Sequence, residues 1–210
     1  MPRFTGPLVL IGPPGAGKSW CAEYMSRETG YSRIEVDLHQ WPRLRAHPDI
    51  RAAELVAGEP GPGARRAYLV ALRERLTAER GEAAARRILE EAKAGATIDL
   101  LARADEGTVI DFGAGHSIYE HLDLRERVRQ ALRPARVVLL RPCADLDAAV
   151  LILGARLAAQ GRAVAAERLR GYLVHPSNHA LAGAVVDTEG QTIAELCARL
   201  ESPPRIAGPV

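Results

Sequence analysis

Cysteine is scarce in this 210-residue chain: Cys21, Cys143 and Cys197 are few, odd in number and far apart. No Cys-x-x-Cys pair or Cys/His cluster occurs, which argues against a zinc site or a disulfide framework. The three read as reduced core thiols. No apolar run approaches the roughly 18 residues of a membrane span. The N-terminus lacks a basic segment followed by a long apolar one, so no signal peptide is expected and the cytoplasm is the expected compartment. Neither sign of charge dominates. A net charge of +2 demands neither nucleic acid nor membrane as a partner. Lysine is nearly missing. Lys18 and Lys93 are the only two, so a lysine inside a motif stands out.

What is present is apolar and regularly punctuated. Apolar residues make up 47% of the chain, enough to fill a core. Five compact runs read as strands: Pro7–Ile11, Arg33–Leu38, Gly107–Gly113, Ala135–Leu140 and Gly183–Thr188. Each is β-branched or leucine-rich rather than alternating, as in strands of a parallel sheet covered on both faces. Helical stretches separate them. Lys18–Thr29 ends at Gly30, a natural C-cap. The last helix opens on Thr192 with Glu195 three residues on, a capping box. The alternation predicts an α/β, doubly wound, five-stranded parallel sheet. About 70 residues lie between the second and third strands, where a crossover needs on the order of a dozen. The surplus predicts a helical insertion over about residues 42–104 within one domain of residues 1–200. "GEPGPG", residues 58–63, reads as a flexible break, and residues 201–210 as a flexible tail.

Gly12, Gly17, Lys18 and Ser19 match the pattern G-x-x-x-x-G-K-[ST]. Such a match arises by chance on the order of once per hundred chains of this length. Here a strand precedes it and a helix follows, as the motif requires. Backbone N–H groups converge on phosphate oxygens only where side chains do not intervene, hence glycine. The helix adds its positive N-terminal end. Gly12, Pro13, Pro14, Gly15, Ala16, Gly17, Lys18, Ser19 and Trp20 are therefore expected to hold a nucleotide. Lys18 is expected at the β- and γ-phosphates and Ser19 at Mg²⁺. No guanine-reading N/T-K-x-D follows the fourth strand, which favours ATP as the nucleotide.

Other residues bear on an acceptor. The second strand ends in Glu35-Val36-Asp37, and alternation puts both carboxylates on the same side. Ligands in such sheets bind beyond the carboxyl ends of the strands. Asp37 is expected to take a proton or hydrogen bond from an acceptor hydroxyl, and Glu35 to contact magnesium indirectly. Asp111, after an apolar run, reads as the acid that holds a magnesium-bound water. Gly113, Ala114 and Gly115 leave backbone N–H groups uncovered nearby. His116 reads as an exposed loop residue rather than an essential base. Arg156 and Arg162 flank "LAAQG", a candidate lid, with Arg162 expected to offset charge on the moving phosphoryl. Arg65 and Arg66 are candidates for an anionic acceptor.

This layout resembles shikimate kinase and its relatives among small P-loop phosphotransferases, over most of the chain. "LIGPPGAGKS" looks like their phosphate loop, and Glu35-Val36-Asp37 sits where they have Asp-x-Asp. "GEPGPGARR" is similar to their segment ending in a substrate-binding arginine, which implies Arg65 or Arg66. Gly113–Gly115 sits where they have three glycines at the substrate. "RLRGY" looks like their arginine–tyrosine segment, implying substrate binding by Arg168. "VVDTEGQTIAEL" is similar to their adenine-contacting loop, here Thr188 to Gly190. The resemblance implies ATP- and Mg-dependent phosphoryl transfer to a hydroxyl of a small metabolite, by a monomer or homodimer. This chain departs from the pattern at Glu35 and Ala114, lacks an Arg-Pro-Leu-Leu lid, has a longer insert, and carries an unmatched "HPSNHALAG". Acceptors other than shikimate are equally compatible. So are a nucleoside, nucleotide or antibiotic kinase, and a regulatory ATP-binding module.

Overall fold

The computed structural model describes residues 6–52 and 64–201, save the side chains of Arg65 and Arg66. In chain order the elements are β1 (Leu8–Ile11), α1 (Lys18–Thr29), β2 (Ser32–Glu35), α2 (Val36–His39), α3 (Trp41–Ala46) and α4 (Pro48–Ala52). Then come α5 (Arg65–Arg80), α6 (Glu82–Leu101), β3 (Thr108–Asp111), α7 (Leu122–Ala131) and β4 (Arg136–Arg141). Last are α8 (Leu146–Ala159), α9 (Ala166–Val174), α10 (Pro176–Leu181), β5 (Ala184–Asp187) and α11 (Ile193–Glu201). The segment 58–63 and the tail from residue 202 lie outside the described residues.

All five strands pair in parallel in the order β2-β3-β1-β4-β5. The order places β1 in the middle, and Leu8, Val9, Leu10 and Ile11 are wholly buried. A strand covered on both faces has no reason to alternate, and this holds for β1, β3 and the middle of β4, whereas the edge strands β2 and β5 are only partly covered. The expected doubly wound α/β fold is therefore present, with strand ends that differ from the expected ones by up to three residues.

One strand ends differently from its expected course. β2 stops at Glu35, and Val36 opens α2. The buried Val36 carbonyl accepts from the N–H of Gln40 at 2.9 Å, closing a helical turn. Asp37 lies in that first turn, where an acid suits the helix end. The same-side pairing of Glu35 and Asp37 along one strand is thus overturned. A turn of helix replaces the period of 2 beyond Glu35.

The chain divides into two compact units. The first comprises residues 1–35, 104–118 and 132–210, and holds the sheet. Its core gathers Leu8, Leu10, Met25, Val109, Val138, Leu140, Leu153 and Leu200 among others. Cys21 and Cys197 lie in this core, whereas Cys143 is half-exposed, so it is not a core thiol. A hydrogen bond to Cys197, together with burial, pushes the Cys21 thiol well above the ordinary cysteine range, which keeps it unreactive. The second unit comprises residues 36–103 and 119–131 and is helical. Its core includes Trp41, Leu44, Ile50, Tyr68, Leu72, Leu76 and Ile88. Trp41 and Tyr68 meet edge to face, with centroids 4.9 Å apart.

Candidate active site

The phosphate loop joins β1 to α1 in the first unit. All three of its glycines, Gly12, Gly15 and Gly17, have positive φ, and the first and last show two different needs. A Cβ at Gly12 would lie 2.3 Å from the Leu140 carbonyl oxygen of β4, and Gly12 has φ +136°. Gly17 caps α1 with φ +93°, a left-handed value, and a Cβ there would meet nothing within 4 Å. Gly12 lets the loop leave a crowded sheet, and Gly17 turns it into the helix in open space. Lys18 is buried at 6% exposure, and its Nζ donates to the carbonyls of Gly12 at 3.0 Å and Pro13 at 2.9 Å. The lysine therefore braces the curve of its own loop. Ser19 and Trp20 are exposed at the first turn of α1.

β3 supplies Asp111, whose carboxylate charge the Ser19 hydroxyl helps to hold. Parallel register sets Asp111 opposite Glu35 of β2. Arg33, two residues earlier on the same face of β2, lies 2.8 Å from Glu35 and 3.8 Å from Asp111. Burial raises the Asp111 pKa above the ordinary aspartate value. Ser19, Lys18 and Arg33 pull it back, and Glu35 adds to the rise. Ser19, Arg33, Glu35 and Asp111 thus form one charged cluster beside the loop. Arg33 was not among the expected site residues. Its one signal in the sequence is the spacing of two before Glu35.

After β3 the chain turns through Gly113, Ala114 and Gly115, with the His116 N–H donating to the Gly113 carbonyl at 2.8 Å. His116 is buried at 4% exposure, against the expectation of an exposed loop residue. Its ring packs edge to face against Phe112, which draws it inward.

Arg156 lies on α8. Its Nη1 donates to the Gly15 carbonyl at 3.3 Å and to the Thr188 hydroxyl at 3.0 Å. Thr188 is buried, held by backbone bonds to Arg141 and Pro142. Arg156 therefore joins the loop to the stretch around Thr188. The expected lid stretch is mostly helix: α8 runs through Ala159, and Gly161 exits in a left-handed turn. Arg162 follows it and is exposed. Arg168 on α9 is also exposed and reaches Tyr172, with its guanidinium 5.9 Å from that ring. Among the described residues neither arginine makes an ion pair with Glu35 or Asp111. The unmatched "HPSNHALAG" forms α10 and the approach to β5, with Ser177 and Asn178 fully buried. Asp37 is exposed and belongs to the second unit, as does Arg65, which opens α5 and whose side chain lies outside the description.

These residues fit a magnesium-bound nucleotide. Ser19 offers a hard oxygen such a cation takes, and Asp111 offers one that can hold a cation-bound water. Among the described residues no three His, Cys, Asp or Glu side chains cluster as a metal site. A cation here would draw its remaining ligands from water and phosphate, as magnesium does. Among the described residues no helix is long and apolar enough to cross a membrane.

No protein-family model and no curated protein matches the sequence. Solved structures do. Shikimate kinase of Acinetobacter baumannii, in complex with shikimate, superposes with a TM-score of 0.56 at 17% identity, covering 93% of this chain and 90% of that one. Shikimate kinase of Bacteroides thetaiotaomicron gives a TM-score of 0.51 at 17% identity, covering 93% and 96%. TT1252 of Thermus thermophilus gives 0.50 at 18%, covering 93% and 95%. Strand order, phosphate loop and these likenesses agree: the chain has the fold of shikimate kinase and related P-loop kinases.

Proposed function

We propose that the protein transfers the γ-phosphoryl group of magnesium-bound ATP to a hydroxyl of a small metabolite. The observation that carries this reading is the Lys18–Ser19–Asp111 cluster at the turn between β1 and α1. The nucleotide and its magnesium ion supply the phosphoryl donor and a counter-charge to it. Lys18 holds phosphate oxygens, and the amides of the loop and first turn of α1 share that task. Ser19 holds the cation directly, and Asp111 and Glu35 act on it through water. Arg156 and Thr188 border the nucleotide. Arg162 offsets charge on the phosphoryl in transfer. Asp37, two residues beyond Glu35 in the chain, accepts the proton of the attacking hydroxyl. Gly113, Ala114, Gly115, Arg65 and Arg168 bind the acceptor. The reading sets the protein in the cytoplasm as a monomer or homodimer.

ATP turnover against polyols, hydroxy acids including shikimate, nucleosides and aminoglycosides tests it. One acceptor should give a phosphorylated product. Asp37→Asn should lower that transfer rate by about 10²-fold or more with nucleotide affinity unchanged. Full transfer by Asp37→Asn would remove Asp37 from the mechanism. Nucleotide binding with no product from any acceptor would favour the regulatory module.

A further inference from the structure

We propose that Arg33 is a resident counter-ion of the Glu35–Asp111 pair, which keeps the nucleotide-free protein from binding a divalent cation by itself. The inference rests on the magnesium–nucleotide reading above. Arg33 and Glu35 share a face of β2, and register sets Glu35 opposite Asp111. One guanidinium nitrogen, Nη2, lies 2.8 Å from Glu35 and 3.8 Å from Asp111. The Ser19 hydroxyl also favours the charged form of Asp111, so the same carboxylate serves the serine side and the arginine side.

The local charge follows. Lys18 and Arg33 are two positive groups, and Glu35 and Asp111 are two negative ones. Before any ligand arrives the cluster is neutral. A bare divalent cation would enter it with no excess negative charge to receive it. A nucleotide triphosphate brings several negative charges, and the cation then has a reason to stay. Partial burial strengthens this balance, because water screens it less: Arg33 and Asp111 side chains are 24% and 8% exposed. The arginine's hold is also releasable. Its Nη2 makes both ion pairs, and its buried Nε has no hydrogen-bond partner among the described residues. A two-nitrogen fork would be harder to displace.

The test uses Mn²⁺ as probe, with the free ion counted by electron paramagnetic resonance against nucleotide-free full-length protein. Arg33→Met should bind Mn²⁺ at least tenfold more tightly than wild type, and Arg33→Lys should stay within about threefold of it. With a non-hydrolysable ATP analogue bound, the wild type and Arg33→Met should converge. Arg33→Gln, which can still bond Glu35, serves the same comparison if the methionine variant does not fold. Unchanged or weaker Mn²⁺ binding in the neutral variants overturns the proposal. If the analogue itself does not bind, the nucleotide reading fails. The nucleotide-free comparison still decides the role of Arg33.

Discussion

Arg156 donates through a single nitrogen to both Gly15 and Thr188. It ties the phosphate loop to the segment after β5, where the nucleotide base is proposed to rest. Hydrogen bonds from a charged donor contribute about 1.5–3 kcal/mol each, less where water competes. Arg156→Ala should therefore weaken nucleotide binding by about tenfold, read by calorimetry, with no comparable loss in melting temperature. Lys93 makes a different residue-scale case. It is half-buried, and its Nζ sits 4.3 Å from the Tyr119 ring centroid. Burial lowers its pKa to about 8, while the Glu90 and Glu120 carboxylates pull the other way. In the unfolded chain a lysine holds its proton to about pH 10.4. Between these values the unfolded state binds more protons, so stability should rise with pH. Wild type should thus gain on Lys93→Met between pH 7.5 and 9.5 in denaturant titrations. A constant difference would show that Lys93 titrates normally.

At the scale of elements, helix ends do much of the positioning. α11 begins as its sequence announces: the Glu195 N–H donates to the Thr192 hydroxyl at 3.3 Å, and the Thr192 N–H donates to Glu195 at 2.8 Å. α7 is anchored from outside itself. The buried Glu90 of α6 accepts the N–H groups of Glu120 and His121, just before α7, and meets the His121 ring at 2.9 Å. Burial alone would raise its pKa. The His121 ring, these backbone donors and Lys93 outweigh burial and hold it below the ordinary glutamate value. Glu90→Gln should cost about 1–3 kcal/mol at pH 7, since it weakens charge-assisted bonds to partly buried donors. The sign of the pH dependence follows. Wild type's advantage is full above the unfolded glutamate pKa of about 4.3 and is lost as pH falls through the lower folded value. Denaturation at pH 7 and at pH 3 measures both ends. An equal deficit at each would mean that the Glu90 charge is not what anchors α7.

For the whole molecule, binding is linked to stability. A ligand that binds only the folded state at about 100 times its dissociation constant adds about 2.7 kcal/mol. Saturating Mg-ATP should raise the melting temperature of wild type by several degrees. Lys18→Ala should lose most of that shift, because Lys18 is proposed to hold the phosphates as well as the loop carbonyls. A shift unchanged in Lys18→Ala would place the nucleotide elsewhere. The two units have separate cores, one around the sheet and one around Trp41, Tyr68 and Leu72.

The sequence by itself determined whatever is local. Strand, loop and helix from Leu8 to Thr29, the C-cap at Gly30, the capping box at Thr192 and the five apolar runs each rest on neighbours a few residues apart. Backbone sterics, hydrogen-bonding reach and burial on both faces write such features into short stretches. Tertiary structure decided the rest. β2 ends at Glu35 because a buried valine begins a helical turn, which moved Asp37 off the strand. Strand register brought Glu35 level with Asp111 and put Arg33 between the two acids. Arg156 was one arginine among many until packing set it against Gly15 and Thr188. These are contacts between distant stretches. Their energy depends on distance and dielectric in the folded chain, and no short stretch of sequence encodes either.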